Sequence, residues 1–493
     1  MKRITSTIIV CALAALLITA GAQAATYNWT GAISTDWATS GNWNIAGYPG
    51  SDGASTTDAA NIYDNTSATA VTMSGAQYAG QVCVGGKGGS SSAISYGYLN
   101  VSQNLTITGS NGFRIGGTTG DYNYGKVVQT AGDVSVTGTF AMGWNTNDEG
   151  VYVMQGGTLT QNKSNTGLTI GRYGTAIFTQ SGGNVYANLG STVFANAGGT
   201  GEVHPNVLYD ISGGSVEFKQ LTLASNGSSH ASSTAVAELK ISGTGSVTLT
   251  SNTTLRVGQK AGATGTITMT GGTLNIYGGG ASPSHSIALG DEGATGYFTQ
   301  SGGTCSVTGS ILVGSKAGGV GTMTLSGAAQ TSATKLEVGY SNADTGTLGT
   351  LILKGSRTGS GTDMSVSEVF RLGSDTSPNA STLKAVIDAT AVSTPSAMRK
   401  IVVTTNAYFY AGSLLDVGFD SGVTPTAGTW TLLTCGTLTD NGLAFAPGVD
   451  TSKWSFSADT VAKTLTVTYV PEPATMSLLA LGGLGLLLKR KRT

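Results

Sequence analysis

The side chains best suited to chemistry are two adjacent acidic pairs, Asp148-Glu149 and Asp291-Glu292. Each lies in a loop soon after a glycine that ends an apolar run, Gly143 or Gly290. Asp121 stands in the equivalent loop before the first pair. A glycosidase needs two carboxyls about 5 to 10 Å apart, and a lyase needs a base beside the proton of a sugar acid. Stacked loops would bring Asp121 near Asp148. An Asp in a glycine-bounded loop ordinarily bonds its own turn, however, so no catalytic residue is expected here. A tandem G-G-x-G-x-D run that would specify calcium is missing. His204, His230 and His285 are isolated, with no partner at i+4. Apart from Cys11, the cysteines are Cys83, Cys305 and Cys435, an odd count without C-x-x-C spacing, so neither a full disulfide framework nor zinc is expected. No P-loop or H-E-x-x-H occurs, and no cofactor or metal is expected. Trp29, Trp37 and Trp43 fall within fifteen residues, and two readings stay open for them: a carbohydrate-stacking platform, or the packed core of an end cap.

The elements that would carry these residues repeat. The pattern is Gly, a short β-type run, Gly-Gly, a second run, a loop, then Ile, Val or Leu followed by Gly. Its clearest copies are GVYVMQGGTLTQNKSNTGLTIG from Gly150, GTAIFTQSGGNVYANLG from Gly174, GTITMTGGTLNIYGGG from Gly265 and GYFTQSGGTCSVTGSILVG from Gly296. Starts recur every two dozen residues or so, as at Gly125, Gly150 and Gly174. Alternation, read as Val151 with Val153 and Ile267 with Met269, points one side chain in two inward. One such turn cannot bury its own apolar row, whereas stacked turns seal it and pair their backbones. The expectation is an all-β chain, a right-handed parallel β-helix (β-solenoid) over residues 98–400. About eleven coils between Tyr98 and Ala389 at ~4.8 Å each would make a rod ~50 Å long. Residues 25–97 are expected to form an N-terminal cap and first coils, and 401–469 an antiparallel closing segment, because open coil edges must be covered.

Composition agrees. Only 10% of the 493 residues are charged and 75 are Gly, which suits short strands and tight turns and excludes a charge-rich disordered chain. Six of the 25 basic residues sit at the extreme ends, against one of the 26 acidic ones. The acidic body between offers no basic run for nucleic acid.

Both ends read as addresses. Residues 1–24 have the order of a secretory signal peptide: Lys2-Arg3, an apolar run from Ile8 to Ala20, then Ala22-Gln23-Ala24 before Ala25, with cleavage expected after Ala24. The last residues, 470–493, run Val470, Pro471-Glu472-Pro473, an uncharged stretch over 474–488, and Lys489-Arg490-Lys491-Arg492. Fifteen residues of helix reach roughly 22 Å, short of the ~30 Å hydrocarbon core, so a short C-terminal membrane helix would rely on its basic end snorkelling to the cytoplasmic interface.

That tail resembles the PEP-CTERM sorting signal. The resemblance implies recognition of Pro471, Glu472 and Pro473 by an exosortase, a membrane processing enzyme, with the basic residues as a stop. The repeats, with the run F-T-Q-S-G-G at Phe178 and again at Phe298, are similar to autotransporter passenger repeats, although the translocating barrel of that family is missing. Together these imply an exported structural or adhesive protein. It would be held in the membrane through the C-terminal helix before processing, then displayed at the cell surface or released into an exopolysaccharide or biofilm matrix. A carbohydrate-active enzyme on a β-helix and a carbohydrate-binding module are the alternatives.

Overall fold

The computed structural model describes residues 24–51, 57–86, 94–117, 122–198, 203–227, 232–250, 254–277, 285–340, 347–358, 363–375 and 380–472. Thirteen strands, from Ser95–Val101 to Ala444–Phe445, lie parallel in one sheet in strict chain order. A second sheet of 23 strands forms the other two sides of each coil. One coil shows the path: Glu149–Met154 on the first sheet, Thr158–Gln161 and Asn165–Ile170 on the second, then Thr175–Gln180 back on the first, above Glu149. The chain is therefore a parallel β-solenoid. Measured on the first sheet, coil length runs from 25 residues, where Gly125 lies under Gly150, to 32, where Leu351 lies under Leu383.

Stacking in register gives each inward position a continuous row. On the first sheet Val127, Tyr152, Phe178, Tyr209, Leu239 and Ile267 stand over one another, all fully buried. Within the row, Tyr152 and Phe178 stack with centroids 4.9 Å apart and Phe178 and Tyr209 at 4.5 Å, both with planes 5° apart. Each such pair adds about 0.5–1.5 kcal/mol to simple burial. The inward parity of Ile267 and Met269 is as expected. That of the coil at Gly150 is shifted by one: Tyr152 and Met154 point in, while Val153 is half-buried. Gly150 sits over Gly125 and beneath Ala176, and that register commits the larger Tyr152 to the aromatic row.

The corner after each first-sheet strand explains the Gly-Gly. The second glycine has positive φ, 75° at Gly157 and 76° at Gly183, a region that side chains disfavour. A Cβ on Gly157 would lie 2.1 Å from the Gly132 carbonyl oxygen of the coil before. Gln180, fully within the core, donates from Nε2 to Gly183 O and Ser215 O at 3.0 Å each, satisfying corner carbonyls in two successive coils. Gln129 and Gln300 repeat this at their own corners. The Tyr152 hydroxyl donates to Gln129 Oε1 at 2.6 Å and that of Tyr209 to Gln180 Oε1 at 2.9 Å. Aromatic row and glutamines thus form one buried network.

The parallel winding includes the first coils expected within residues 25–97 and runs on past residue 400. At the front, Thr26–Asn28, Ala59–Ile62 and Gln77–Val84 already pair in parallel. At the back, Leu414–Phe419 pairs in parallel with Thr382–Ile387, and Asn406–Phe409 with Thr437–Asp440. Residues 401–469 are therefore mostly further coil. Among the described strands, antiparallel pairing joins Thr464–Tyr469 to Gly428–Thr434 and to Trp454–Asp459, and elsewhere only the single bridges Trp29–Trp43 and Ser356–Met398 run antiparallel. That closure is packed by aromatics: Trp430 is fully buried, donates from Nε1 to Ala391 O at 2.7 Å, and meets Phe419 edge-on. Among the described residues no helix is long and apolar enough to cross a membrane. The short helix expected over 474–488 lies outside them.

Candidate functional site

The Trp-rich front is a packed core. Trp29, Trp37 and Trp43 are 5%, 0% and 4% exposed. Trp43 meets the other two rings at 5.1 and 5.2 Å, edge to face. Its indole N–H donates to Trp37 O, and that of Trp37 to Pro49 O. No ring face is left for a sugar, so the stacking platform is replaced by the cap reading of the same residues.

The acidic loops hold their carboxylates internally. Asp148 is 1% exposed, and its two oxygens accept from the backbone and side-chain N–H groups of Asn123 and Asn145 at 2.9–3.1 Å. Burial pushes its pKa up while the four donors pull it back. Asp291, 2% exposed, lies 3.4 Å from Arg256 Nε and 3.6 Å from Lys316 Nζ. Asp121 lies outside the described residues, so its pairing with Asp148 does too. A cleft on the rod, about 240 Å³, is lined by Ser332, Thr334, Ser365, Ser367 and Thr404 with apolar neighbours and no carboxylate. His204 bonds Thr234 Oγ1, and His230 lies outside the described residues. Cys83, Cys305 and Cys435 are unbridged; burial pushes the Cys305 thiol up to about 12. Among the described residues no three His, Cys, Asp or Glu side chains converge as metal ligands would.

The two chain ends are more informative. Ala25 donates its backbone N–H to Asp58 Oδ1 at 3.2 Å, while Oδ2 accepts from Gly50 N. Asp58 is 4% exposed. Ala24 is exposed, and Ala22 lies outside the described residues. At the other end, the last strand stops at Tyr469, and Val470 N still bonds Lys453 O at 2.9 Å. The next residues are Pro471 and Glu472, so no spacer separates motif from fold. Glu472 Oε1 pairs with Lys453 Nζ at 3.0 Å, and the same ammonium meets Asp450 at 3.3 Å. Residues 470–492 match the family model of the PEP-CTERM protein-sorting motif. The chain carries an exosortase sorting signal. It is therefore an exported protein sorted to the cell surface. Pro473 and the basic end Lys489, Arg490, Lys491 and Arg492 of the PEP-CTERM motif lie outside the described residues. The chain matches no curated protein and no solved structure.

Sequence reasoning located the motif and the coils but missed the inward glutamines and the ion pair that ties Glu472 to the fold. The glutamines had a signal, since F-T-Q-S-G-G twice places Gln at the inward parity just before the corner. Lys453 had none, because its partner is set by the closing hairpin.

Proposed function

We propose that this protein is a non-catalytic rod, delivered across the membrane, processed at its PEP-CTERM motif and displayed on the cell surface or in the extracellular matrix as a structural or adhesive element. The observation that carries this reading is the junction at Val470: a closed solenoid end passes directly into the sorting motif, so what is sorted is the rod itself. The outward positions, rich in Thr, Ser and Asn, suit hydrogen bonding to exopolysaccharide. Residues 474–488 serve as a membrane anchor until the exosortase acts. The likeness of the repeats to autotransporter passengers concerns the coil, not the route of export. Removal of a leader after Ala24 would turn the Ala25 N–H into an ammonium beside the buried Asp58 carboxylate, a pairing worth about 1.5–3 kcal/mol for a charged hydrogen bond.

Fractionation of cells expressing the chain with and without residues 470–493 tests the sorting reading. The intact chain is expected at the surface and the truncated one in a different fraction; an unchanged location overturns it. Mass spectrometry of the N-terminus of the exported protein should find Ala25. Asp58→Asn should then lower its Tm, and an unshifted Tm would remove the ammonium pairing.

A further inference from the structure

Three side chains on one corner of the early coils form a stack that no part of the sorting reading uses. Corner glycines of positive φ, Gly143 and Gly171, are followed by Trp144 and Arg172, and Met142 lies directly under Ile170. Trp144 and Arg172 thus hold the same place in successive coils. Arg114 comes from the coil before, where it pairs with Ala141. Its Cζ lies 4.3 Å from the Trp144 ring centroid, and Arg172 Cζ lies 3.9 Å from it. Coil order puts one guanidinium on each side of the indole. Arg172 also lies 4.7 Å from the Tyr173 ring.

Among the described residues the charge of this stack meets no carboxylate. Elsewhere Arg256, Arg357 and Arg371 each meet a carboxylate, namely Asp291, Asp363 and Glu337. Arg399 donates to the Ala329 and Gly327 carbonyls. Among the described residues Arg114 and Arg172 have no ion pair. Arg114 makes one long bond to Asn111 Oδ1, 3.4 Å, and its Nε is buried without a partner. Burial pulls Arg114 below its ordinary pKa, opposed in part by Cys83, with the like charge of Arg172 adding a lesser pull downward. Asp148, in the same loop as Trp144, already spends both oxygens on Asn123 and Asn145. An aromatic face attracts a guanidinium without neutralising it. A guanidinium held over a ring still has N–H groups to offer a carboxylate. Arg114, Trp144 and Arg172 are all partly exposed, so an acceptor from outside can reach them.

We propose that this stack binds the carboxylates of an acidic polysaccharide lying along the rod across three coils. Two guanidiniums on opposite sides of one ring ask for two anionic groups in succession, which a polyuronate chain supplies and a single small anion does not. The half-buried Tyr173 and the exposed Asn111 border the site and match sugar rings and hydroxyls. Nucleic acid fits less well, because two cations on an acidic body do not make the basic track that a polyphosphate needs.

The test is calorimetric titration of the purified full chain with polygalacturonate, galacturonate monomer, dextran and single-stranded poly-dT. Polygalacturonate is expected to bind at low salt, at least tenfold more tightly than the monomer, and to weaken as salt rises; dextran should not bind. Arg172→Gln should weaken binding at least tenfold, and Lys219→Gln should leave it unchanged. Arg172→Lys keeps the charge and loses the fork, so it should bind several-fold more weakly than wild type; it is the variant to read if Arg172→Gln fails to fold. Equal binding by wild type and Arg172→Lys, equal binding of dextran or poly-dT, or no binding of polygalacturonate overturns the proposal.

Discussion

The same corner of the solenoid is built twice with opposite electrostatic outcomes. In the early coils the residues after the corner glycines Gly143 and Gly171 are Trp144 and Arg172, and Arg114 completes a cation–ring–cation stack. In the later coils the residue after Gly290 is Asp291, which lies between Arg256 and Lys316, with Glu292 paired to Lys316 at 2.9 Å. Both corners partly desolvate a guanidinium. The later one compensates with a buried carboxylate from a neighbouring coil; the earlier one uses a ring, and among the described residues no carboxylate meets its charge. One position in the coil therefore decides whether the corner is a strut or a receptor, and the backbone is indifferent to the choice.

The largest test of that contrast is Asp148, the buried carboxylate in the early loop. Asp148→Ala leaves the N–H groups of Asn123 and Asn145 without their acceptor. It should cost about 3 kcal/mol, seen as a lowered denaturation midpoint. If Asp148 instead serves as counterion to the stack, the same variant will tighten polyuronate binding; unchanged affinity per folded molecule is expected. Next comes Asp291→Ala, at about 2 kcal/mol, because the cations it abandons are partly exposed and rehydrate. It should also give the later corner a new, salt-sensitive affinity for polygalacturonate through Arg256 and Lys316, and failure to gain it would mean that charge alone does not make the receptor. Trp144→Leu removes two cation–π contacts of about 0.5–1 kcal/mol each. It should lower the midpoint by less than either acid variant while weakening polyuronate binding.

Much of the scaffold could be read in the chain, and the corner could not. Glycine-bounded runs such as Gly265 to Gly272 announce a coil because the inward alternation and the positive-φ corner each demand a particular residue type at a fixed offset. The eleven first-sheet strands between Tyr98 and Ala389 follow from that rule. Leu414–Phe419 and Ala444–Phe445 continue the stack without the Gly-Gly signal, so their pairing partner was not visible. The alternation at Gly150 is ambiguous by one residue in the sequence because Val151, Tyr152 and Val153 are all apolar, and only Phe178 above shows which of them belongs to the aromatic row. Trp144 and Arg172 look like unrelated loop residues in the sequence. With coil length varying between 25 and 32 residues, no fixed spacing brings them together. The PEP-CTERM motif was legible because an enzyme reads it as an extended sequence.

The smallest effect in the comparison is also the one that depends most on pH. Lys316 holds Glu292 below its ordinary carboxyl range of 4.5, chiefly by hydrogen bonding, and Glu292 in turn holds Lys316 above 10.5. A carboxyl depressed in the folded state stabilises the fold above its unfolded pKa and loses that contribution as pH falls through the folded value. A raised lysine stabilises below its unfolded pKa and loses the contribution as pH rises through the folded one. The pair therefore contributes across the neutral range and fades at both extremes. Both side chains are well exposed, 45% and 40%, so solvent screening limits the contribution to a few tenths of a kcal/mol. Glu292→Gln should shift the denaturation midpoint slightly at pH 7, and by progressively less as pH falls through the folded-state value of the Glu292 carboxyl. A Glu292→Gln loss that persists undiminished through that fall in pH would mean that Glu292 acts by packing. Charge closure at the later corner would then rest on Asp291 by itself.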